Sequence, residues 1–170
     1  MAATSALDCF VEAAKDHDER VTVTDHSAFA ETIDSIIKRP AVGASLPFEG
    51  VSLEGTTVEL DWAPADLAQA ETGLTPASFG IADHGTVFVE SRPAGDELLA
   101  LFPNHHVAVV EASAIHASQA DAFGELGRRF EDSQVSGVFA SGPSATADMG
   151  ETVQGVHGPG AVHVVVLEDR

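Results

Sequence analysis

"AVHVVVLED", residues 161–169, is the stretch whose reading decides the fold. A Val-rich apolar run without alternation, closed by two acids, suits a strand covered on both faces of a sheet. "HHVAVVE" (residues 105–111) reads the same way, and "GVFASG" (137–142) is expected to be a third strand buried on both faces. Moving outward, helical spacing replaces the continuous runs. "SALDCFVEAAKDH" puts Leu7, Phe10, Val11 and Ala14 on one face, and "RVTVTD" follows as a short strand. "SAFAETIDSIIKRP" reads as a helix with Ser27 as N-cap, Phe29, Ile33, Ile36 and Ile37 facing inward and Pro40 as the stop. "AVGAS" and the alternating "VSLEGTTVELDW" read as strands, and "APADLAQAETG" as a short helix closed by Gly73. Two β-rich runs in "TPASFGIADHGTVFVES" meet at Asp83-His84-Gly85, a hairpin or bulged turn that leaves His84 exposed. "GDELLALF" is a short helix, and "SQADAFGELGRRFEDS" is the longest later one, with Ala120, Phe123, Leu126 and Phe130 inward. Strands alternating with helices give one three-layer α/β domain over residues 1–170, with a mostly parallel sheet.

Length and composition narrow the function classes. A chain of 170 residues buries roughly 70% of its unfolded surface and needs neither disulfide nor metal for stability. The single cysteine, Cys9, excludes an internal disulfide and any thiolate set for an iron–sulfur cluster or structural zinc, and the first helix is expected to bury it as a small apolar residue. Against 27 acids stand 8 Lys and Arg, only two of them lysines, Lys15 and Lys38, for a net charge of −19. That field repels nucleic acid and anionic membranes. Dispersed acids, few lysines and no tyrosine suit a salt-accumulating halophile, in which cations screen the self-repulsion. The start lacks a basic segment followed by an apolar run, and no stretch approaches the ~20 apolar residues of a membrane span, so a cytoplasmic protein is expected.

The chemistry concentrates in "SGPSATADMGETVQGVHGPG", residues 141–160, which leaves the carboxyl end of "GVFA", where α/β sheets place ligands. If the chain turns into a helix near Thr146 or Ala147, backbone N–H groups and the hydroxyls of Ser144 and Thr146 converge on a carboxylate or phosphate. Equally, Ser144 or Thr146 caps that helix and Asp148 lies in its first turn, favoured by the macrodipole. His157, between glycines in "GVHGPG", is either a titrating ligand contact or a hydrogen-bonded structural residue. His163 alternates with valines and reads as structural; His105 and His106 open their strand and read as core or capping residues. No pair has the spacing of a helical zinc site, and there is no Gly-x-Gly-x-x-Gly or aromatic platform for a flavin or nicotinamide, so no metal or cofactor is expected in this chain.

The strings "GIADHGTVFVES", "LFPNHHVAVVE" and, above all, "SGPSATADMGETVQGVHGPGAVHVVVLED" resemble the LUD domain, the family of lactate utilization protein C. Gly-Pro-Ser-x-Thr-Ala-Asp followed by Gly-x-His-Gly-Pro before a Val/Leu strand carries the likeness, which is clearest over residues 63–168. It implies a fold similar to the ribose-5-phosphate isomerase and CoA-transferase group, and a role beside an iron–sulfur protein in oxidising L-lactate to pyruvate. It also points to Gly142, Ser144, Thr146, Asp148, His157, Gly158 and Thr86 as ligand contacts, with Asp83, Asp148 and His157 as candidates for chemistry. Two departures touch site acids. Ala-Glu-Thr-Gly-Thr of the family is Ala82-Asp83-His84-Gly85-Thr86 here, and Ala-Asp-Ile-Glu is Ala147-Asp148-Met149-Gly150, which removes a carboxylate unless Glu151 substitutes. Besides a component of a lactate or organic-acid oxidation system, two readings stay open: a stand-alone isomerase or transferase on a sugar phosphate or acyl-CoA, and a non-catalytic sensor or assembly subunit.

Overall fold

The computed structural model describes residues 5–132, 134–148, 151–155 and 157–168, except for the side chains of 132, 146–148 and 151–154. Helix α1 (Ala6–Lys15) starts on a capping box, Ser5 Oγ accepting the Asp8 N–H and the Asp8 carboxylate accepting the Ser5 N–H. Strand β1 (Arg20–Thr24), helix α2 (Phe29–Ile36), β2 (Ala41–Gly43), β3 (Val58–Glu59), α3 (Pro64–Leu67) and β4 (Thr72–Pro76) follow. Next come β5 (Phe79–Ile81), β6 (Thr86–Glu90), α4 (Asp96–Leu101), β7 (His105–Glu111), β8 (Ile115–His116) and α5 (Gln119–Asp132). The chain closes with β9 (Gly137–Ala140), β10 (Ala145–Asp148), β11 (Glu151–Gln154) and β12 (Ala161–Leu167).

Six strands form the central sheet in the order β1-β12-β7-β4-β2-β3, and every neighbouring pair is parallel. The period of two assigns β7 and β12 to two cores at once. Val107, Val109, Val165 and Leu167 pack against Phe29 and Ile33 of α2, with Val51 and Leu53 of the following loop. Ala108, Val110, Val164 and Val166 pack on the opposite face against Phe10 of α1 and Val87 and Val89 of β6. A strand covered on both faces is apolar at most positions on each face, which is why its sequence does not alternate. The domain is therefore a three-layer α/β fold, with the parallel sheet between helical layers.

A second, four-stranded sheet, β8-β5-β6-β9, lies over the α1 side, and Ala122 and Leu126 of α5 close its outer face against Phe79, Ile81 and Phe88. Several expectations change here. The strand of "GVFA" belongs to this second sheet, antiparallel to β6, and is half exposed instead of buried on both faces. Helix α5 turns Ala122 and Leu126 inward, whereas Ala120, Phe123 and Phe130 are exposed, because it covers a narrow sheet rather than a broad core. Phe123 packs on the rim instead, its ring 5.8 Å from that of Phe139. Gly73 lies within β4, not at a helix end: α4 approaches so closely that a Cβ there would sit 2.0 Å from the Leu99 carbonyl oxygen. Asp25, not Ser27, serves the start of α2, its Oδ1 accepting the Ala28 N–H and the Ser27 hydroxyl. Of "VSLEGTTVELDW" only Val58–Glu59 forms a strand. Cys9 is exposed, on the solvent side of the helix whose inward residues are Phe10 and Ala14.

Candidate functional site

The stretch at 141–160 forms no helix at Thr146. Ala145–Asp148 and Glu151–Gln154 pair as an antiparallel hairpin, with Thr146 opposite Val153 and Asp148 opposite Glu151. Alternating β-branched Thr and Val residues across the turn favour this pairing over a helix. The helix-terminus cradle and the helix-cap alternative both fall away, and any anion here must be held by side chains and loop amides. The base of the hairpin is tied by two backbone bonds, Ser144 N–H to the Pro159 carbonyl and Gly155 N–H to the Ser144 carbonyl, both 2.8 Å. The side chains of Thr146 and Asp148 lie outside the described residues, as does Gly150 where the family carries an acid.

Folding back at Pro159 brings Gly142, Ser144, His157 and Gly158 around one cleft of about 330 Å³. His157 is exposed at its mouth, and Gly158 and Ser144 touch across it: a Cβ at 158 would lie 3.1 Å from that of Ser144. Thr86 lies beside this cleft. Its hydroxyl is 2.6 Å from that of Ser141, which lines both the cleft and a neighbouring recess of about 280 Å³ formed with His84, Phe123 and Phe139. The Thr86 oxygen also reaches the His84 carbonyl at 3.2 Å; when Thr86 donates there, Ser141 donates to Thr86. The loop is thereby fastened to the start of β6. Asp83 stands apart from the cleft. Its carboxylate pairs with His84 Nδ1 at 2.7 Å and takes the Gln119 N–H at 3.4 Å, and the His84 bond holds its carboxyl below the usual range. An exposed carboxylate so stabilised is a poor base near neutral pH.

Two buried titratable groups lie at the cleft and under its loop: His106, a core residue as the sequence suggests, and Glu19, which the sequence reading did not single out. His106 lines the cleft from the floor, fully buried, with Nε2 2.9 Å from the Thr75 hydroxyl and Nδ1 without a partner among the described residues. Burial, and secondarily the charge of His105, pushes its pKa down to about 3, so the ring is neutral. Glu19, at the turn into β1, is 4% exposed, and neither carboxyl oxygen has a hydrogen-bond partner among the described residues. Burial raises its pKa to about 8, against a smaller lowering influence of the Gly142 N–H, so at neutral pH it is mostly a protonated acid. The loop rests directly on this segment: Gly142 adopts φ +76°, and a Cβ there would lie 2.2 Å from the His17 carbonyl oxygen. Glu19 lies in the polar run Asp16–Arg20, and the Gly142 loop that packs on this run follows it by more than a hundred residues.

The LUD domain profile matches residues 9–167. The chain belongs to the LUD domain family. Among relatives of this LUD domain, Lactate utilization protein C of Bacillus licheniformis is 32% identical over 127 residues, 69% of this chain and 53% of that protein. Lactate utilization protein C of Deinococcus radiodurans is 28% identical over 127 residues, covering 74% of this chain and 59% of the relative. The chain thus spans about half the length of the curated relatives it matches. A crystal structure of a DUF162 family protein from Deinococcus radiodurans superposes with a TM-score of 0.71 over 96% of both chains at 19% identity, and so shares the fold. Among the described residues of this LUD domain, no group of three His, Cys, Asp or Glu side chains is placed to hold a metal, and no helix is long and apolar enough to cross a membrane.

Proposed function

We propose that this chain is the LUD-domain component of a system oxidising L-lactate or a related organic acid, and that the cleft under residues 142–159 takes the carboxylate of that acid. The relatives, which are lactate utilization proteins, support the pathway. The observation that carries the site is the convergence of Ser144, His157 and Gly158 above His106, whose Nδ1 has no partner among the described residues. Ser144 and the loop amides donate to the carboxylate, and His157 orients the acid's hydroxyl or keto oxygen. Thr86 and Ser141 hold the loop in place. One cysteine cannot ligate a cluster, so electrons leave through an iron–sulfur partner subunit.

The test is calorimetric titration of the chain with L-lactate and pyruvate, together with affinity purification from its native host. Saturable binding that weakens roughly tenfold in Ser144→Ala and His157→Ala, with an iron–sulfur protein co-purifying, is expected. A chain that binds neither acid and retains no iron–sulfur partner refutes the reading.

A further inference from the structure

At the amino edge of the central sheet is a second cavity, of about 480 Å³, lined by Arg20 at the start of β1, Lys38 beyond α2, and His105 and His163 near the starts of β7 and β12. Bases are scarce in this chain, and most of those described have acids beside them. Lys15 pairs with Glu12, Arg92 with Asp96, and Arg128 and Arg129 both with Glu125. Arg20 and Lys38 take no carboxylate among the described residues, and both face this cavity. In a chain of net charge −19, two unpaired cations brought to one hollow concentrate positive potential where the overall field is negative.

The histidines add oriented donors. Thr72 Oγ1 accepts the Lys38 backbone N–H at 2.9 Å and lies 3.1 Å from His105 Nδ1. With the Thr72 proton directed to Nδ1, the His105 proton resides on Nε2. His163 is held through Nε2, 2.8 Å from the Thr22 hydroxyl, with its ring centroid 6.4 Å from that of His105. Both rings stay neutral: burial first, then the surrounding positive charge, takes each pKa down to about 4. Lys38 and Arg20 both contribute to that lowering at His105, which places their charge around this ring. The opposing groups are Asp18, at the cavity wall, Glu71, whose charge acts on His105 in the other direction, and the last-turn carbonyls of α2 near Ser35 and Ile36.

We propose that this amino-edge cavity binds the phosphoryl group of a small phosphorylated metabolite, with Arg20 and Lys38 supplying the charge and His105 a ring N–H donor. Two cations match a phosphoryl dianion better than a single carboxylate, and donors arriving from separate elements suit its several acceptor oxygens. The remaining volume accommodates the rest of the molecule. The site does not depend on the organic-acid reading, because it uses none of Ser144, His157 or Gly158; Pro143 and Gly160 form only its loop-side wall.

The experiment is thermal unfolding of the whole chain, with ³¹P line broadening as a direct binding readout, in inorganic phosphate against succinate and sodium chloride at matched ionic strength. Phosphate at about 100 times its dissociation constant is expected to raise Tm by roughly 5–10 °C. Arg20→Gln and Lys38→Gln each weaken phosphate binding about tenfold or more, and Lys15→Gln leaves it unchanged. Phosphate that neither broadens nor stabilises, an equal effect of succinate, or Arg20→Gln and Lys38→Gln variants that bind phosphate as the parent does, each overturns the proposal. Lys38→Gln lowering Tm equally with and without phosphate would mean that the lysine only caps α2, which also overturns it.

Discussion

Strand β12 and the loop before it meet at Gly160, yet they are held by opposite means. From Val162 to Leu167 the strand is buried on both faces, between α2 on one side and α1 with β6 on the other. The loop from Ser141 is fixed by backbone bonds between Ser144, Gly155 and Pro159 and by the Ser141–Thr86 hydroxyl pair, with His157 exposed. Apolar burial dominates the first region and local hydrogen bonds the second. Substitutions in the first should therefore cost stability, and in the second chiefly binding. The largest break in this contrast is expected at Gly73→Ala. Its Cβ would meet the Leu99 carbonyl at 2.0 Å and Pro103 Cγ at 2.9 Å, so α4 must move off β4. A loss of roughly 3 kcal/mol or more by denaturant titration is expected. A loss under about 1 kcal/mol would show that the sheet at β4 yields as readily as the loop.

Glu19 lies where the two regions touch, and it sharpens the comparison through pH. Its folded pKa, about 8, stands above the ordinary 4.5, so the native state prefers the protonated acid. The stability it permits is complete below pH 4.5 and is lost as pH rises through 8. The sheet histidines act on the other limb. His105 and His163 have folded values of about 4 and His106 of about 3, all below the ordinary 6.5, so their stability is present above 6.5 and lost as pH falls toward 4. Glu19→Gln is expected to raise stability at alkaline pH by roughly 2–4 kcal/mol and to leave the acid limb unchanged. Urea unfolding at acid and alkaline pH checks it; an unchanged alkaline limb would mean that Glu19 is solvated.

The central sheet was legible because its signal is intrinsic to short segments. A Val-rich run with no apolar–polar alternation suits a strand covered on both faces, and β7 and β12 are so covered. "GVFA" misled for the same reason: four apolar residues do not say which sheet they join, and the answer depends on pairing with β6, some fifty residues away. Phe123 and Phe130 follow helical spacing, yet the narrow second sheet leaves them exposed. In the candidate site, Gly142, Ser144, His157 and Gly158 were readable as a loop motif, and the structure brings them to one cleft. His106 was readable as a core residue but not as the floor of the cleft, and Glu19 and the Thr86–Ser141 bond were not readable, because each acquires its environment from a segment distant in sequence. A helix was expected at Thr146 because Ser, Thr and Asp favour N-caps; the same residues also suit a hairpin, and cross-strand pairing with residues 151–154 decided between them.

The smallest stability effect, and the most discriminating one, concerns the Thr86–Ser141 pair. Thr86 is 6% exposed, and its hydroxyl lies 2.6 Å from Ser141 and 3.2 Å from the His84 carbonyl. Thr86→Val keeps the shape, removes the hydroxyl and leaves Ser141, which is exposed, free to turn to water. The cost in folding stability is then about 1 kcal/mol or less. The loop, released at one of its few anchors, no longer presents Ser144 and His157 in one arrangement, so organic-acid binding falls roughly tenfold or more. Measured together, a small change in Tm with a large change in Kd supports a loop held for binding and not for folding. Equal losses in both would place Thr86 in the core of the second sheet, and the division between buried sheet and hydrogen-bonded loop would shift to the other side of β6.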